Sequence, residues 1–202
     1  MPRHQAPLSL EYILLGLLDQ NPAHGYDLYK NIIHLEGISL VWHVKQSQLY
    51  ALLDKLETGG LLKSTLLPGE AHPMRKGYQI TAAGKQAFYG WRASPVSHGR
   101  DMRQEFLAKL YFAHQAGPQV ALELIEAQKQ ACQGWVTELQ SRYSVQKDGQ
   151  FYERMVLQYR LSQTMAMLEW LEFCRVEIIR QIKISQPAEE KDELFSGRQS
   201  EQ

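Results

Sequence analysis

The chain has 202 residues, 44% hydrophobic and 22% charged, with 22 basic and 22 acidic side chains and a formal net charge of zero. That length suits one to two domains of an ordinary globular protein. A zero balance argues against a binder that holds nucleic acid by bulk charge alone, and no apolar run approaches the roughly 18 residues needed to cross a bilayer. The two cysteines, Cys132 and Cys174, fall in expected helices without a C-x-x-C context and read as buried small hydrophobes. No membrane partner is expected, and the location expected is the cytoplasm.

The N-terminal stretch MPRHQAPLSLEYILLGLL has a short apolar segment but no small-residue cleavage site, so it reads as a helix of the fold and not as a signal peptide. A first helix is expected over 8–19, with Ser9 as N-cap and Leu10, Ile13, Leu14, Leu17 and Leu18 on its apolar face. Asn21-Pro22 ends it. A second helix from about Gly25 to Leu35 turns Leu28, Tyr29, Ile32 and Ile33 inward, and Gly37 closes it. A short extended segment, Ile38 to Trp42, follows, with Trp42 expected to wedge between the second and third helices.

The stretch from Trp42 to Tyr78 organises the rest. Leu49, Leu52, Leu53 and Leu56 fall at i, i+3, i+4 and i+7, one face of a 3.6-residue period. The other face carries Gln46, Ser47, Gln48, Tyr50, Ala51, Asp54 and Lys55, none of them a large aliphatic. Gly59-Gly60 stops this helix. Two short strands, Leu61–Leu67 and Arg75–Ile80, are joined by Pro68-Gly69-Glu70-Ala71-His72-Pro73. Two helices, a third with a polar outer face, and a hairpin with basic residues on its return strand describe a winged helix-turn-helix.

The function expected from this unit is duplex DNA binding, with the 46–58 helix in the major groove and the 61–81 hairpin on the flanking backbone. Gln pairs bidentately with adenine N6 and N7, Ser contacts several base edges, and Tyr50 can donate to a phosphate or stack on a thymine methyl. Lys45, Lys55, Lys63, Arg75 and Lys76 suit phosphates. Residues 1–92 hold 9 basic and 7 acidic side chains, giving +2, and residues 93–202 hold 13 and 15, giving −2; position supports DNA contact more than total charge does. The alternative is a winged-helix module that docks protein. Salt-dependent, palindrome-specific duplex binding separates the two.

Thr81 is expected to cap a fourth helix, TAAGKQAFYGWRAS, with Phe88 and Trp91 toward a core. Residues 94–99, Ser-Pro-Val-Ser-His-Gly, read as a linker, and all beyond it as helix. One helix is expected from Arg100 to about Gln115, ended by Gly117. Pro118 starts the next, about 118–146, whose Ala121, Ile125, Gln128, Cys132, Trp135 and Leu139 form a heptad seam. After a turn at Lys147-Asp148-Gly149, a last helix over 151–184 carries Leu157, Leu161, Met165, Leu168, Leu171, Ile178 and Ile182. The fold class expected is mainly α, an N-terminal winged helix-turn-helix (1–93) plus a C-terminal domain of long antiparallel helices (100–184), with a disordered polar tail at 185–202. The apolar stripes exceed what one partner helix covers, so a homodimer is expected. Its candidate contacts are Ile125, Cys132, Trp135, Leu139, Leu157, Leu161, Leu168, Leu171 and Ile178.

Enzyme signatures are missing: no G-x-S-x-G, no phosphate-binding glycine loop and no H-E-x-x-H. His4, His24, His34, His43, His72, His98 and His114 show no ligand spacing, so no metal, no cofactor and no catalytic residue is expected.

LSLEYILLGLLDQNPAHGYDLYKNI, VWHVKQSQLYALLDKLETGGLL and RKGYQITAAGKQAFYGW, which together span most of residues 8–91, resemble PadR-family transcriptional regulators. The C-terminal helices resemble, more loosely, a larger subgroup that includes virulence-activator-type regulators. The resemblance implies a dimeric winged-helix regulator, usually a repressor, whose C-terminal helices dimerise and whose operators are inverted repeats. It places the recognition face on Gln46, Ser47, Gln48 and Tyr50 and the basic wing strand on Arg75, Lys76 and Tyr78. Relatives often have a serine N-cap where this chain has Lys45, which implies a missing cap bond worth about 1 kcal/mol. Some relatives bind aromatic or amphiphilic effectors near the dimer interface, for which Trp91, Trp135 and Trp170 are the candidate pocket residues here.

Overall fold

A computed structural model describes residues 9–34, 41, 44–67, 75–145 and 150–185. In chain order these form α1 (Ser9–Gln20), β1 (Ala23–His24), α2 (Gly25–His34), α3 (Gln46–Thr58), β2 (Leu62–Leu67), β3 (Arg75–Ile80), α4 (Ala82–Ala93), a 3-10 turn (Gly99–Arg103), α5 (Glu105–Ala116), α6 (Pro118–Ser144) and α7 (Phe151–Ser185). The expected class is the one adopted, a small antiparallel sheet among helices followed by long helices. Among the described residues no helix is long and apolar enough to cross a membrane. Trp42, His4, His43, His72, most of the 38–42 segment, the hairpin tip 68–73, the 147–149 turn and the 186–202 tail lie outside the described residues.

The described residues divide into two compact units between Ala131 and Cys132, a division that runs through α6. In the first unit α1 is the central element. Leu10, Ile13, Leu14, Leu15, Leu17 and Leu18 are all buried, so α1 is apolar nearly all round, as a helix enclosed by others must be. Leu15 lies off the expected face. It is covered because α1 packs on α3, α4, α5 and β3 together. Phe88 of α4 meets Phe112 of α5 edge to face at 5.2 Å, and both rings lie against Gly16. In α2, Leu28 and Ile32 are buried as expected, whereas Ile33 is 40% exposed. It stands one helical step round from the Leu28–Ile32 line, and that line makes the contact.

The sheet order is β1-β3-β2, all antiparallel, with Leu62 opposite Ile80 and Leu67 opposite Arg75. β1 was not expected; Ala23 and His24 pair with Tyr78 and Gly77 along the free edge of β3. Both joints around the hairpin are closed by hydrogen bonds. Where α3 ends, Leu61 N–H donates to the Leu56 carbonyl and Gly60 N–H to that of Glu57, both at 2.9 Å, with Gly60 at φ +72°. This is a Schellman stop, and its left-handed residue is best supplied by glycine. Thr81 caps α4 as expected, its hydroxyl accepting from Gly84 N–H at 3.0 Å. The same hydroxyl donates to the carbonyls of Gly60 and Leu61, at 2.8 and 3.1 Å.

Residues 94–99 pack within the first unit. Val96 is buried, and its N–H donates to Gln128 Oε1 at 2.7 Å. The expected single helix 100–115 is instead a 3-10 turn and then α5, broken at Gln104 (φ −131°, ψ −62°). The turn is closed by Asp101 N–H on the His98 carbonyl, the i to i+3 bond typical of a helix entry. Beyond the break Glu105 accepts from Trp91 Nε1 at 3.0 Å.

In the second unit α7 buries Leu157, Thr164, Leu171 and Ile178 at strict seven-residue intervals. Met165 was expected on this seam but is 50% exposed, and Thr164 takes its place. Steps of four and three from Leu157 and Leu161 land on 164, and the threonine hydroxyl stays satisfied by the Arg160 carbonyl at 2.8 Å. Ile125, Cys132, Leu157, Leu171 and Ile178, expected as dimer contacts, are already buried in the single chain; Trp135, Leu139, Leu161 and Leu168 are half-buried.

Thr81→Ala removes the α4 cap and the ties to the α3–β2 joint. It should lower unfolding free energy by about 1–2 kcal/mol in urea titration, while Ile33→Ala should stay within about 0.5 kcal/mol of the parent.

Candidate nucleic-acid interface

The third helix is two-sided. Leu49, Leu52, Leu53 and Leu56 are between 0% and 7% exposed, while Gln46, Ser47, Gln48, Tyr50, Ala51, Asp54 and Lys55 are all exposed. Lys45 occupies the N-cap with extended backbone (φ −80°, ψ 144°) and no side-chain cap bond, as its residue type implies. The first N–H groups of α3 are therefore left uncapped by a side chain, at a helix end that favours anions.

Tyr50 is the exception among the outer residues, since part of its ring is used. A Cβ built on Gly25, the first residue of α2, would lie 2.6 Å from Tyr50 Cε1. The ring therefore rests on bare backbone at the start of α2 and is oriented by it. Nothing in the local pattern of either helix predicts this, because the two residues are far apart in sequence.

The hairpin's side chains sort by strand alternation. Leu62 and Ser64 of β2 and Lys76, Tyr78 and Ile80 of β3 share the face turned to the helices, with Leu62, Tyr78 and Ile80 buried. Lys63, Thr65 and Gln79 are exposed on the other face. Tyr78 was expected to meet DNA; at 3% exposed it belongs to the core, and burial pushes its hydroxyl above the ordinary tyrosine range. Lys76 was expected on a phosphate. Instead its ammonium is 2.5 Å from Glu57 Oε2 and 3.7 Å from Asp54 Oδ1. Lys55 likewise donates to buried Glu11 of α1 at 2.6 Å. The backbone of Arg75 lies in β3, and its side chain lies outside the described residues. Glu11, Gly25, Glu57 and Ser64 were not singled out from sequence. Strand alternation alone was enough to turn Ser64 and Lys76 inward.

Trp91, a candidate pocket wall, is only 8% exposed. Its ring stacks on Tyr12 at 4.9 Å and 4°, with the Lys109 ammonium 5.3 Å from its centroid, so Trp91 is committed to the core. Lys109 is itself buried, held by the Ser94 carbonyl at 2.9 Å and Glu105 at 3.1 Å. Burial pulls its ammonium below the ordinary lysine range, and Glu105 opposes that. Trp135 and Trp170, both half-buried, belong to the second unit.

A helix pair whose second member shows a polar face, followed by an antiparallel hairpin packed at its C-terminal end, defines a winged helix-turn-helix. The sequence matches the Transcriptional regulator PadR-like family over residues 14–89 and the Virulence activator alpha C-term family over residues 102–178. It is 31% identical over 136 residues to the negative transcriptional regulator PadR of Bacillus subtilis, covering 66% of this chain and 72% of that protein. The crystal structure of B. subtilis PadR in complex with operator DNA is similar at 26% identity and a TM-score of 0.43, covering 85% of this chain and 99% of that one. The same B. subtilis protein in complex with p-coumaric acid is similar at 26% identity and a TM-score of 0.38, with 85% and 99% covered. The chain belongs to the PadR-like family of transcriptional regulators.

Gly25→Ala should cost about 1–3 kcal/mol in urea unfolding, because the added methyl meets the Tyr50 ring. The double variant Gly25→Ala/Tyr50→Ala should recover most of that loss. A double variant as unstable as the sum of the singles would assign the cost to something other than the ring.

Proposed function

We propose that this regulator is a repressor that binds an inverted-repeat operator as a homodimer, with α3 in the major groove and the hairpin on the flanking backbone. One observation carries the DNA reading: α3 hides all four leucines while its whole outer face, from Lys45 to Lys55, stays open to solvent. Gln46, Ser47, Gln48 and the free part of Tyr50 supply base contacts. Lys45 at the helix start, Lys63 on the outer face of β2, and Arg75 supply phosphate contacts. Repression is supported by the 31% identical relative, a negative transcriptional regulator.

Dimer formation is supported by the outer side of α7. Met155, Tyr159, Phe173, Val176 and Ile184 are between 48% and 70% exposed, and at 3.6 residues per turn they share the side opposite the Leu157–Ile178 seam. A row of large apolar side chains this long is a surface that a second copy can cover. In this reading residues 1–93 read DNA and residues 100–184 pair the copies. Two-fold pairing makes the operator an inverted repeat with half-sites about one helical turn apart.

Duplexes selected from genomic fragments test this directly. Gln48→Ala should relax preference at one operator position by about 1–3 kcal/mol, and Arg75→Ala should weaken all duplexes alike and lower the salt slope by about 1. Binding that ignores salt would remove the electrostatic part of the proposal. In sedimentation at micromolar concentration the parent chain should run as a dimer and Phe173→Glu as a monomer; a parent that runs only as a monomer ends the dimer proposal.

A further inference from the structure

We infer that Lys76 is a positioning residue that clamps the hairpin to the recognition helix, with Glu57 as its anchor, and is not a phosphate contact. The inference rests on the reading of α3 and the hairpin as one duplex-binding unit. Glu57 stands in the last turn of α3, and each of its carboxylate oxygens is taken by a different strand. Ser64 of β2 donates to Oε1 at 2.5 Å, and Lys76 of β3 donates to Oε2 at 2.5 Å. Asp54, one turn earlier on α3, adds a second, longer contact to the same ammonium at 3.7 Å. The Lys76 ammonium also lies 5.2 Å from the centroid of the Tyr78 ring. A single side chain of the helix thus grips both strands of the hairpin.

Strand geometry explains why these groups meet. Lys76 shares the period-two face of Tyr78 and Ile80, and Ser64 shares that of Leu62; both faces turn to the helices. Lys76 is therefore led toward α3 by the same alternation that buries its neighbours. Charge acts in the same direction: the bond to Lys76 holds the Glu57 carboxyl below the usual carboxylate range, and Glu57 raises the lysine. Both groups stay ionised across the physiological range.

The function of such a clamp is geometric. Among the described residues beyond the closed base, Glu57 and Asp54 make the polar contacts between α3 and the hairpin, and a hairpin free to swing must be ordered each time the protein docks, which weakens binding. Fixed at Glu57, the hairpin meets the backbone at a set distance from the bases that α3 reads.

The clamp and the phosphate contact predict opposite signs for one substitution. Glu57→Gln removes a negative charge from a surface facing a polyanion. On charge alone that tightens binding; if the clamp matters it weakens binding by about three- to tenfold. The measurement is a salt series of fluorescence anisotropy titrations, using the full chain and a labelled duplex recovered from a random pool by the parent protein. Glu57→Gln and Lys76→Gln should both weaken binding, the double variant should be no weaker than the worse single, and the salt slope of Lys76→Gln should match the parent. Ser64→Ala keeps both charges and should weaken binding by a smaller factor, which covers the case of a charge variant that fails to fold.

Hydrogen exchange of the β2 and β3 amides in the free protein gives a readout without DNA, and both charge variants should speed it. Tighter or unchanged binding by Glu57→Gln, or a slope lowered by about 1 in Lys76→Gln, overturns the clamp. A parent chain that recovers no duplex, with exchange still faster in the variants, overturns the DNA reading and leaves the clamp standing.

Discussion

The structure depends on which side of α3 is hidden. Its four leucines are the only large aliphatics it has, and α1, α2 and β2 cover them. Burying a leucine stabilises by about 1.5–3 kcal/mol, so the four together contribute on the order of 10 kcal/mol, an upper figure because the unfolded chain hides some of that surface already. That is comparable with the whole net stability of a small domain. No gain from its polar residues could rotate α3 and hide Gln46, Gln48 or Tyr50 in exchange. The outward orientation of those side chains follows from hydrophobic burial on the opposite face, and their availability for recognition is a consequence of packing.

The exit of α3 transmits that orientation to the rest of the unit. The Schellman bonds of Gly60 and Leu61 turn the chain directly into β2, and the Leu61 carbonyl then accepts both the N–H and the hydroxyl of Thr81. The end of α3, the base of the hairpin and the start of α4 thus converge on one carbonyl. Glu57 holds the hairpin further out. Tyr50, resting on Gly25, links the two helices of the helix-turn-helix from the opposite end. Each joint is small, but they constrain the same few degrees of freedom, namely where the hairpin and α2 stand relative to the exposed face of α3.

Much of this was legible from sequence because it is periodic. The leucine spacing gives the bounds of α3 and its hidden face, Gly59-Gly60 its end, and Thr81 the next cap. What was not legible is either too short for a period or decided at long range. Two residues of β1 cannot alternate visibly, and only their pairing with Tyr78 and Gly77 makes them a strand. Thr164 takes the seam position expected of Met165; its hydroxyl is satisfied by the i−4 carbonyl of Arg160, a local bond that a pattern of hydrophobic residues does not show. The family resemblance places Lys76 and Tyr78 with Arg75 on one wing strand facing DNA. Alternation turns the first two toward the helices, Tyr78 into the core and Lys76 onto Glu57, and neither residue type alone says which face of a strand it takes.

That distinction bears on how a chain with no net charge can hold a polyanion. Of the five basic residues in the α3–hairpin unit, Lys55 and Lys76 are engaged by Glu11 and Glu57. Among the described residues neither Lys45 nor Lys63 has an ion-pair partner, and Arg75 is the fifth. Lys45 and Lys63 alone, two per copy and four in the proposed pair, correspond to a salt slope of about −4, whereas all five per copy would give about −9. The smaller figure describes a protein with modest affinity for arbitrary DNA, as zero net charge would lead one to expect. In the proposed binding mode selectivity comes from the uncharged side chains at the start of α3, Gln46, Ser47 and Gln48, because hydrogen bonds to bases depend on base identity where phosphate contacts do not. In the proposed binding mode the two lysines paired with carboxylates are part of recognition: they trade general affinity for a fixed geometry in which a few neutral contacts can discriminate.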